Sequence, residues 1–453
     1  MKVLTIETPS LGDRSYLVHD GEVGLVIDPQ RDFDRILEVA EDEGVAVSHV
    51  AETHLHNDYV SGGLALAQRC GARYLHAAGE ELDFEHDPVV GGDQVRVGSL
   101  IVEVVHTPGH TAHHLSYVVG SDDGPPAVFT GGSLLYGTVG RTDLVGADVT
   151  DDLTRAQYRS TRRLAELLPD DALVFPTHGF GSFCSSAEST GESDGTLGTE
   201  KEINVAFTAA SEDAFVESLV SGLTAHPAYY VHMAPLNRAG AFPVDLSAPV
   251  EVDPTELARR IHRGEWVIDL RDRRAFAADH VTGTIGIELD DPFATYLGWL
   301  IPWGTSVTLL GDTAAQVAEA QRQLVRIGID RPTGAAGGGV DRWGRDLDRR
   351  SYDTIEFSDV ESRLGTGEAY VLDVRRDDER SEAHVAGSVH LPMHDLIERT
   401  GELPEGTALV HCASGFRASI AASLLDRAGV SVTLIDDEFD NAAEAGLTIE
   451  PAR

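Results

Sequence analysis

Residues 53–63 read Thr-His-Leu-His-Asn-Asp-Tyr-Val-Ser-Gly-Gly, directly after the strand candidate 47–52. That run has the length and composition of a buried strand, and residues 63–69 have the apolar spacing of an amphipathic helix. The histidines are therefore predicted to lie on a loop between a strand and a helix. Because such loops carry the functional groups of many α/β proteins, the stretch predicts an α/β fold with a site at this edge.

Three further strand-like runs end in polar loops. The run 100–104 leads into His-Thr-Pro-Gly-His-Thr at 106–111, the run 127–130 into Gly-Gly-Ser, and the run 173–175 into Pro-Thr-His-Gly. A catalytic metal needs about three protein ligands and one open position. Imidazoles and a carboxylate from these loops can meet that need, and the candidate metal ligands are His54, His56, Asp58 and His110.

The last two hundred residues contain an internal repeat. Trp-Val-Ile-Asp-Leu-Arg at 266–271 precedes His-Val-Thr-Gly at 280–283, and Tyr-Val-Leu-Asp-Val-Arg at 370–375 precedes His-Val-Ala-Gly at 384–387. Every matching position is offset by 104 residues, which indicates a duplicated domain. We therefore predict three domains, at residues 1–245, 250–350 and 354–453.

A second candidate site begins where the apolar run 408–411 ends at Cys412. A cysteine between a strand end and a helix N-terminus meets backbone N–H groups and the positive end of the helix dipole, which both favour the thiolate. Arg417 adds a positive charge, and Gly415 lets the backbone wrap around an anion. The predicted persulfide loop consists of Cys412, Ala413, Ser414, Gly415, Phe416 and Arg417.

The first copy of the repeat lacks this thiol. Its equivalent strand, residues 308–310, runs into Gly311, which stands where the second copy has Cys412. Without a thiol the first copy cannot form a persulfide. We expect it to serve in packing or in presenting a substrate.

Composition excludes several classes of protein. The 453 residues include 35 Lys plus Arg and 75 Asp plus Glu, a formal charge of −40 with a pI of about 4.6, so nucleic acid is not an expected partner. The only lysines are Lys2 and Lys201, and the acidic excess suits a hydrated surface in high salt. Three cysteines are too few for a disulfide scaffold. With no signal peptide and no apolar run of about 18 residues, we expect a halophilic cytoplasmic protein without membrane contact.

The segments THLHNDYVSGG, HTPGHT, FTGGSLLYGTVGRTDL and FPTHGFGSFCS together resemble the metallo-β-lactamase superfamily. They are most similar to the branch that contains persulfide dioxygenases, glyoxalase II and rhodanese fusions. The resemblance covers about residues 1–245 and implies an αββα fold. Two positions depart from the family: the last histidine of its HxHxDH loop is Tyr59, and its metal-ligating aspartate falls on Gly132. The resemblance therefore implies one metal rather than two.

Persulfide dioxygenases hold one iron with two histidines and a carboxylate, which correspond here to His54, His110 and the missing aspartate. His56 could complete a three-histidine site, or Asp58 or Asp143 could supply the carboxylate; the alternative is a degenerate site kept for structure. The implied cofactor is one Fe(II), with Zn(II) as the alternative, and no nucleotide.

Three further side chains of the N-terminal domain receive supporting roles. His178 corresponds to a second-metal ligand of dinuclear members; we interpret it, with Tyr59 and Asp143, as an outer or substrate-contacting residue. Cys184 is interpreted as a buried core thiol.

The loop CASGFR, with LDVR and HVAG, resembles rhodanese sulfurtransferases over residues 354–453. Related phosphatases carry a loop one residue longer, so the six positions favour sulfur over phosphate. The combined resemblance implies a persulfide dioxygenase coupled to sulfur transfer through Cys412. The alternatives are a thioester hydrolase of the glyoxalase II type and a sulfur-relay protein with no N-terminal catalysis. The expected partner is a small thiol persulfide or thiosulfate, and a homodimer is left open.

Overall fold

The computed structural model describes residues 1–121, 124–186, 195–365 and 367–451. The chain divides into two compact units: Met1–Asp245 with Leu324–Gly328, and Leu246–Gln323 with Ile329–Arg453. The further division of the second unit into two domains stays a prediction.

The strands of the first unit form two sheets. The first sheet has the order β1-β2-β3-β4-β5-β6, with β1 Lys2–Thr8, β2 Asp13–His19, β3 Val23–Ile27, β4 Ala46–Ala51, β5 Arg73–Ala77 and β6 Asp87–Val89. The second has the order β11-β10-β9-β8-β7, with β7 Gln94–Val97, β8 Leu100–His106, β9 Leu115–Ser121, β10 Gly124–Gly131 and β11 Leu173–Pro176.

Helices cover the outer faces of both sheets. They are α1 Asp34–Glu43, α2 Gly63–Cys70, α3 Thr150–Leu167, α4 Leu197–Ile203, α5 Val205–Thr208, α6 Glu212–Ser221 and α7 Tyr230–Ala239. One buried apolar cluster contains residues of both sheets, for example Val18 of β2 and Phe129 of β10. A second cluster joins the first sheet to α1 and α2, and a third joins the second sheet to α3. These layers confirm the predicted αββα order.

Two helical segments differ from the sequence prediction. The Ser, Gly, Thr and Glu content of residues 185–199 predicts a long loop or linker. Residues 187–194 lie outside the described residues, and α4 already begins at Leu197. Thr196 sets that start, since its side chain accepts a hydrogen bond from the Thr199 N–H, as an N-cap does. Helix α7 was missed, because Pro235 within it reads as a helix breaker.

The second unit contains two parallel sheets and two short antiparallel pairs. The sheets have the orders β14-β12-β15-β16 and β18-β23-β22-β19-β21, and the pairs are β13-β17 and β20-β24. The strands are β12 Trp266–Asp269, β13 His280–Val281, β14 Ile285–Gly286, β15 Val307–Leu310, β16 Gly334–Ala336, β17 Arg349–Arg350, β18 Asp353–Ile355, β19 Ala369–Asp373, β20 His384–Val385, β21 Val389–His390, β22 Thr407–His411, β23 Val432–Ile435 and β24 Ile449–Glu450.

The helices along this part of the chain have between 4 and 13 residues. They are α8 Pro254–His262, α9 Arg273–Ala278, α10 Phe293–Leu300, α11 Ala314–Arg326, α12 Val340–Trp343, α13 Val360–Leu364, α14 Asp377–Glu382, α15 Leu396–Arg399, α16 Phe416–Arg427 and α17 Asn441–Glu444. Three 3-10 turns cover Phe357–Asp359, Met393–Asp395 and Thr400–Glu402. In the described part of the chain, no helix combines the length and apolar character that crossing a bilayer requires.

The internal repeat is visible in side-chain contacts. Arg271 turns back onto Asp269, with N···O distances of 2.9 and 2.6 Å, and Arg375 turns back onto Asp373 at 3.0 and 2.8 Å. In each copy the same arginine also donates to the carbonyl eight residues further on. The two copies thus repeat their buried ion pair at the spacing of the sequence repeat.

Candidate functional site

Loops from both sheets of the first unit bring four imidazoles together. The ring centroid of His54 lies 4.0 Å from that of His56, 4.7 Å from His110 and 5.3 Å from His178. All four side chains are buried. His54 and His56 follow β4, His110 follows β8 and His178 follows β11, so the cluster lies at one edge of the sandwich. The strand-end loops therefore meet as the sequence predicted.

His56 and His110 each have one ring nitrogen engaged and one free. His56 Nε2 lies 3.1 Å from Glu52 Oε2, and His110 Nδ1 lies 2.6 Å from the Arg141 carbonyl oxygen. The opposite atoms, His56 Nδ1 and His110 Nε2, are buried without a hydrogen-bond partner among the described residues. A histidine anchored through one nitrogen with the other unpaired is typical of a metal ligand.

His54 differs from these two histidines, because both of its ring nitrogens have a neighbour. Its Nδ1 lies 2.8 Å from Thr53 Oγ1, and its Nε2 lies 3.4 Å from His178 Nε2. Ligand atoms of His54, His56 and His178 lie within 4.8 Å of one another. Burial lowers the pKa of His110 to about 3 and that of His54 well below its usual value. The residues present therefore fit a metal held by imidazoles.

A side chain at position 132 would meet the ring of His110 in this structure. A Cβ atom built on Gly132 would lie 2.6 Å from His110 Cγ and 2.8 Å from its Nε2. Real Cβ atoms do not approach so closely, so the imidazole of His110 fills the space in which a side chain at position 132 would lie. This favours His56, rather than a carboxylate, as the third ligand.

Asp58 and Asp143 lie in ion pairs of their own. His178 Nδ1 lies 2.8 Å from Asp13 Oδ1 and 3.2 Å from Asp58 Oδ2. Burial lowers the pKa of His178, but the two carboxylates outweigh it and raise the value well above the usual range. Asp143 is bound by the guanidinium of Arg141 at 2.7 and 2.8 Å through both its oxygens. That ion pair removes Asp143 from the candidate metal ligands.

Two buried carboxylates and Tyr59 surround the outer nitrogen of His56. Tyr59 Oη lies 2.9 Å and Asp28 Oδ1 3.3 Å from His56 Nε2, next to Glu52. Burial lowers the pKa of His56, whereas Asp28 and Glu52 raise it more, to about 9. Sequence reasoning missed both carboxylates, although each ends a strand-like run. Tyr59, at the family's second-metal position, contacts His56 instead.

His114 and Cys184 also lie beside the cluster. His114 stacks on His54 at 5.0 Å, but its Nδ1 contacts Thr107 Oγ1 and its Nε2 accepts a hydrogen bond from the Gly132 N–H. Both nitrogens are engaged, so His114 packs rather than ligates. Cys184 is buried as predicted, and burial raises the pKa of its thiol well above the usual value.

In the second unit, Cys412 directly follows β22 and is 1% exposed. The backbone N–H of Gly415 donates to Cys412 Sγ at 3.2 Å. Gly415 has a φ of 90° and precedes α16. The loop thus brings a backbone N–H to the sulfur at a helix N-terminus.

Arg417 is held by an acidic partner. Its two terminal nitrogens donate to the two carboxylate oxygens of Glu379 at 2.5 and 2.6 Å. Burial raises the pKa of Glu379, but Arg417 lowers it more, so that the carboxyl stays ionised. The sequence predicted the charge of Arg417 next to the thiol but gave no sign of this ion pair, since the partner lies on α14.

Comparison with known proteins identifies the families that the chain resembles. The metallo-beta-lactamase superfamily model matches residues 13–178, and the rhodanese-like domain model matches residues 356–445. A hydroxyacylglutathione hydrolase of Polaromonas sp. is 33% identical over 37% of this chain and 62% of its own length. That of Cereibacter sphaeroides (ATCC 17023) is 30% identical over 44% of this chain and 74% of its own.

The chain covers between 49% and 74% of the length of the first three curated relatives. A solved metallo-beta-lactamase structure from Staphylococcus aureus subsp. aureus COL is 27% identical, with a TM-score of 0.66. It covers 74% of this chain and 98% of its own. This structural likeness covers more of the chain than residues 1–245 alone.

Proposed function

This chain belongs to the metallo-β-lactamase superfamily and carries a rhodanese-like domain at residues 356–445, and on that premise we propose that it is an enzyme of sulfur metabolism. The N-terminal site oxidises a small thiol persulfide, and Cys412 accepts and donates sulfane sulfur. Residues 250–350 form a thiol-less rhodanese-like domain between the two sites in sequence.

One observation carries the metal-dependent half. His56 Nδ1 and His110 Nε2 are buried, unpaired within the described residues, and belong to rings within 5 Å of His54. Leaving two such nitrogens buried without a partner costs roughly 1–3 kcal/mol each. A cation bound within this histidine cluster removes that cost; the ligand atoms within 4.8 Å of one another are those of His54, His56 and His178, while His110 groups with His178 and Cys184. One metal fits better than two, because Tyr59 and Gly132 stand at the family's second-metal positions.

The chain's own residues prepare this site. Glu52 and Tyr59 orient His56 from outside, and Asp13 with Asp58 holds a proton on His178 Nδ1. Burial of the cluster keeps bulk water away from a reactive sulfur compound. When bound, iron supplies the redox chemistry by which O₂ oxidises the outer sulfur. Overall, persulfide, O₂ and water give the thiol, sulfite and two protons.

The second candidate function is a metal-dependent thioester hydrolase. It is favoured by the curated relatives, which are named hydroxyacylglutathione hydrolase. In that case zinc is the expected metal, and the substrate is a glutathione thioester.

Oxygen uptake distinguishes the two functions. We expect native protein to consume O₂ with glutathione persulfide, and His110→Ala to lower that rate at least about 100-fold because a ligand is lost. Cys412→Ser is the matched control: it should keep oxygen uptake and lose sulfur transfer to cyanide. If the protein released glutathione from a thioester but consumed no O₂ with the persulfide, the dioxygenase proposal would be wrong and the hydrolase would be the supported function.

A further inference from the structure

Helix α16, which follows the predicted persulfide loop, contacts the thiol-less copy of the repeat, residues 250–350. The contacting residues of both copies belong to the same compact unit of the chain. Midway along α16, Ser423 Oγ donates to the Gly286 carbonyl oxygen at 3.3 Å. Near its end, Asp426 Oδ2 lies 3.2 Å from His280 Nε2. The thiol-less copy therefore helps to fix the helix that starts at the sulfur site.

The carboxylate of Asp436 lies directly against the persulfide loop. A Cβ built on Gly415 would overlap Asp436 Oδ1, so this oxygen touches the loop backbone. The N–H of the same glycine donates to Cys412 Sγ at 3.2 Å. The side chain of Asp436 is only 2% exposed, so water screens its charge little. A negative charge in this place disfavours a second negative charge on the sulfur.

Two arginines of the thiol-less copy neutralise this carboxylate. Arg273 Nε donates to Asp436 Oδ1 at 2.6 Å, and Arg274 Nε donates to Asp436 Oδ2. Arg273 also donates to Glu288 Oε2 at 2.8 Å. Removing the cation from a buried ion pair leaves an uncompensated charge behind. The neutral state of the surroundings of Asp436 therefore depends on α9, a helix of the copy that has no thiol.

The sequence repeat shows that this pair of arginines distinguishes the two copies. At the offset of 104 residues, Arg273 and Arg274 correspond to Asp377 and Asp378 of the second copy. Helices α9 and α14 begin at these equivalent positions. The same helix start thus carries two positive charges in one copy and two negative charges in the other. Packing alone does not require this reversal, whereas neutralisation of Asp436 does.

We infer that Arg273 and Arg274 are positioning residues for sulfur transfer, which neutralise the Asp436 carboxylate and thereby favour the thiolate of Cys412. The inference rests on the proposed role of Cys412. It goes beyond that role, because it gives the thiol-less copy an electrostatic function at the sulfur site of the other copy.

Other charged or titratable groups also lie near the sulfur. They include Arg417 with its partner Glu379 of α14, Tyr296 of α10 and His411 of β22. All of them stay unchanged in the variants below. Differences between those variants therefore report on Asp436 and on the arginines that bind it.

The test measures the pH at which half of Cys412 is ionised. The signal is the ultraviolet absorbance of the thiolate, taken as the difference between each protein and the same protein with Cys412→Ser. Arg273→Met combined with Arg274→Met should raise this pH by about one unit, because Asp436 loses its cations and disfavours the thiolate. Lysine at both positions keeps the charges and should leave the midpoint close to that of wild type.

A third variant separates charge from packing. Asp436→Asn, added to the two methionine substitutions, removes the uncompensated charge and should return the midpoint most of the way to the wild-type value. A role in packing alone predicts no such rescue. If the double methionine variant does not fold, Arg274→Met alone should raise the midpoint in the same direction, since the Arg274 side chain is 66% exposed and contributes little to the core.

Arg342→Met is the matched control, because Arg342 belongs to the same copy and pairs with the exposed Glu251. It should not move the midpoint. An unchanged midpoint in the folded methionine variants, or no rescue by Asp436→Asn, overturns the inference and leaves Cys412 in its proposed role. Sulfur transfer to cyanide by wild type, measured in parallel, tests that role itself, and its absence overturns both.

Discussion

The ring of His110 occupies the space that a side chain at position 132 would need. With Gly132 in place, His110 Nδ1 rests on the Arg141 carbonyl and Nε2 faces the cluster. In this structure the imidazole of His110 lies where a side chain at position 132 would extend. Where the family has a metal-ligating aspartate, this chain thus has Gly132, which leaves space for the imidazole of His110.

Gly132→Ala and Gly132→Asp should therefore both lower the metal content. Each adds a Cβ that pushes His110 away, and even the aspartate that restores the family residue should not restore a site. Metal per chain, measured on purified protein, checks this. Gly120→Ala is the control, because a Cβ there meets nothing within 4 Å. A full metal complement in Gly132→Asp would show that His110 can move aside and that our geometry is wrong.

The turn between β22 and α16 also depends on a glycine. Gly415 has a φ of 90°, and a Cβ on it would overlap the carboxylate of Asp436. Arg273 and Arg274 of the first copy bind that same carboxylate. The shape of the persulfide loop therefore depends on a glycine and on an aspartate fixed from α9.

Gly415→Ala should abolish most sulfur transfer. Strained φ together with the overlap costs about 1–3 kcal/mol or more and displaces the N–H that donates to Cys412 Sγ. Thiosulfate:cyanide transfer rates and thermal unfolding together measure the effect. Gly401→Ala, where a Cβ meets nothing within 4 Å, serves as control. If Gly415→Ala transferred sulfur at the wild-type rate, sulfur transfer would not depend on the conformation of this loop.

The elements also show how far sequence reasoning reaches. Strand runs that end in histidine or cysteine loops were predictable, because the apolar period and the loop residues are local signals. The carboxylates around His56, the stacking of His114 on His54 and the ion pair of Arg417 with Glu379 were not. Each joins residues from separate elements, and no local pattern encodes which loops meet. The start of α4 was misplaced because its composition reads as a loop.

At the scale of the whole molecule, the main feature is the large negative net charge. A formal charge of −40 on 453 residues means that the folded chain repels itself in dilute buffer. Salt shortens the Debye length from about 10 Å at 0.1 M to about 3 Å at 1 M. The repulsion between surface carboxylates then falls, while buried pairs such as Asp373 with Arg375 are little screened.

The melting temperature should therefore rise as potassium chloride increases from 0.1 to 1 M at pH 7, by several degrees if screening recovers a few kcal/mol. Calorimetry or circular dichroism measures it. Near the pI of about 4.6, where the net charge vanishes, the same addition of salt should raise it less. A melting temperature that falls with salt at pH 7 would contradict the proposed salt adaptation.

The proposed enzyme depends most on the claim that His54, His56 and His110 hold one metal ion. Elemental analysis of the native protein, purified in high salt, tests it most directly. We predict about one iron per chain, a strong loss in His54→Ala, His56→Ala and His110→Ala, and an unchanged content in Cys412→Ser. Equal metal content in wild type and the three histidine variants, or none in any of them, would contradict the account.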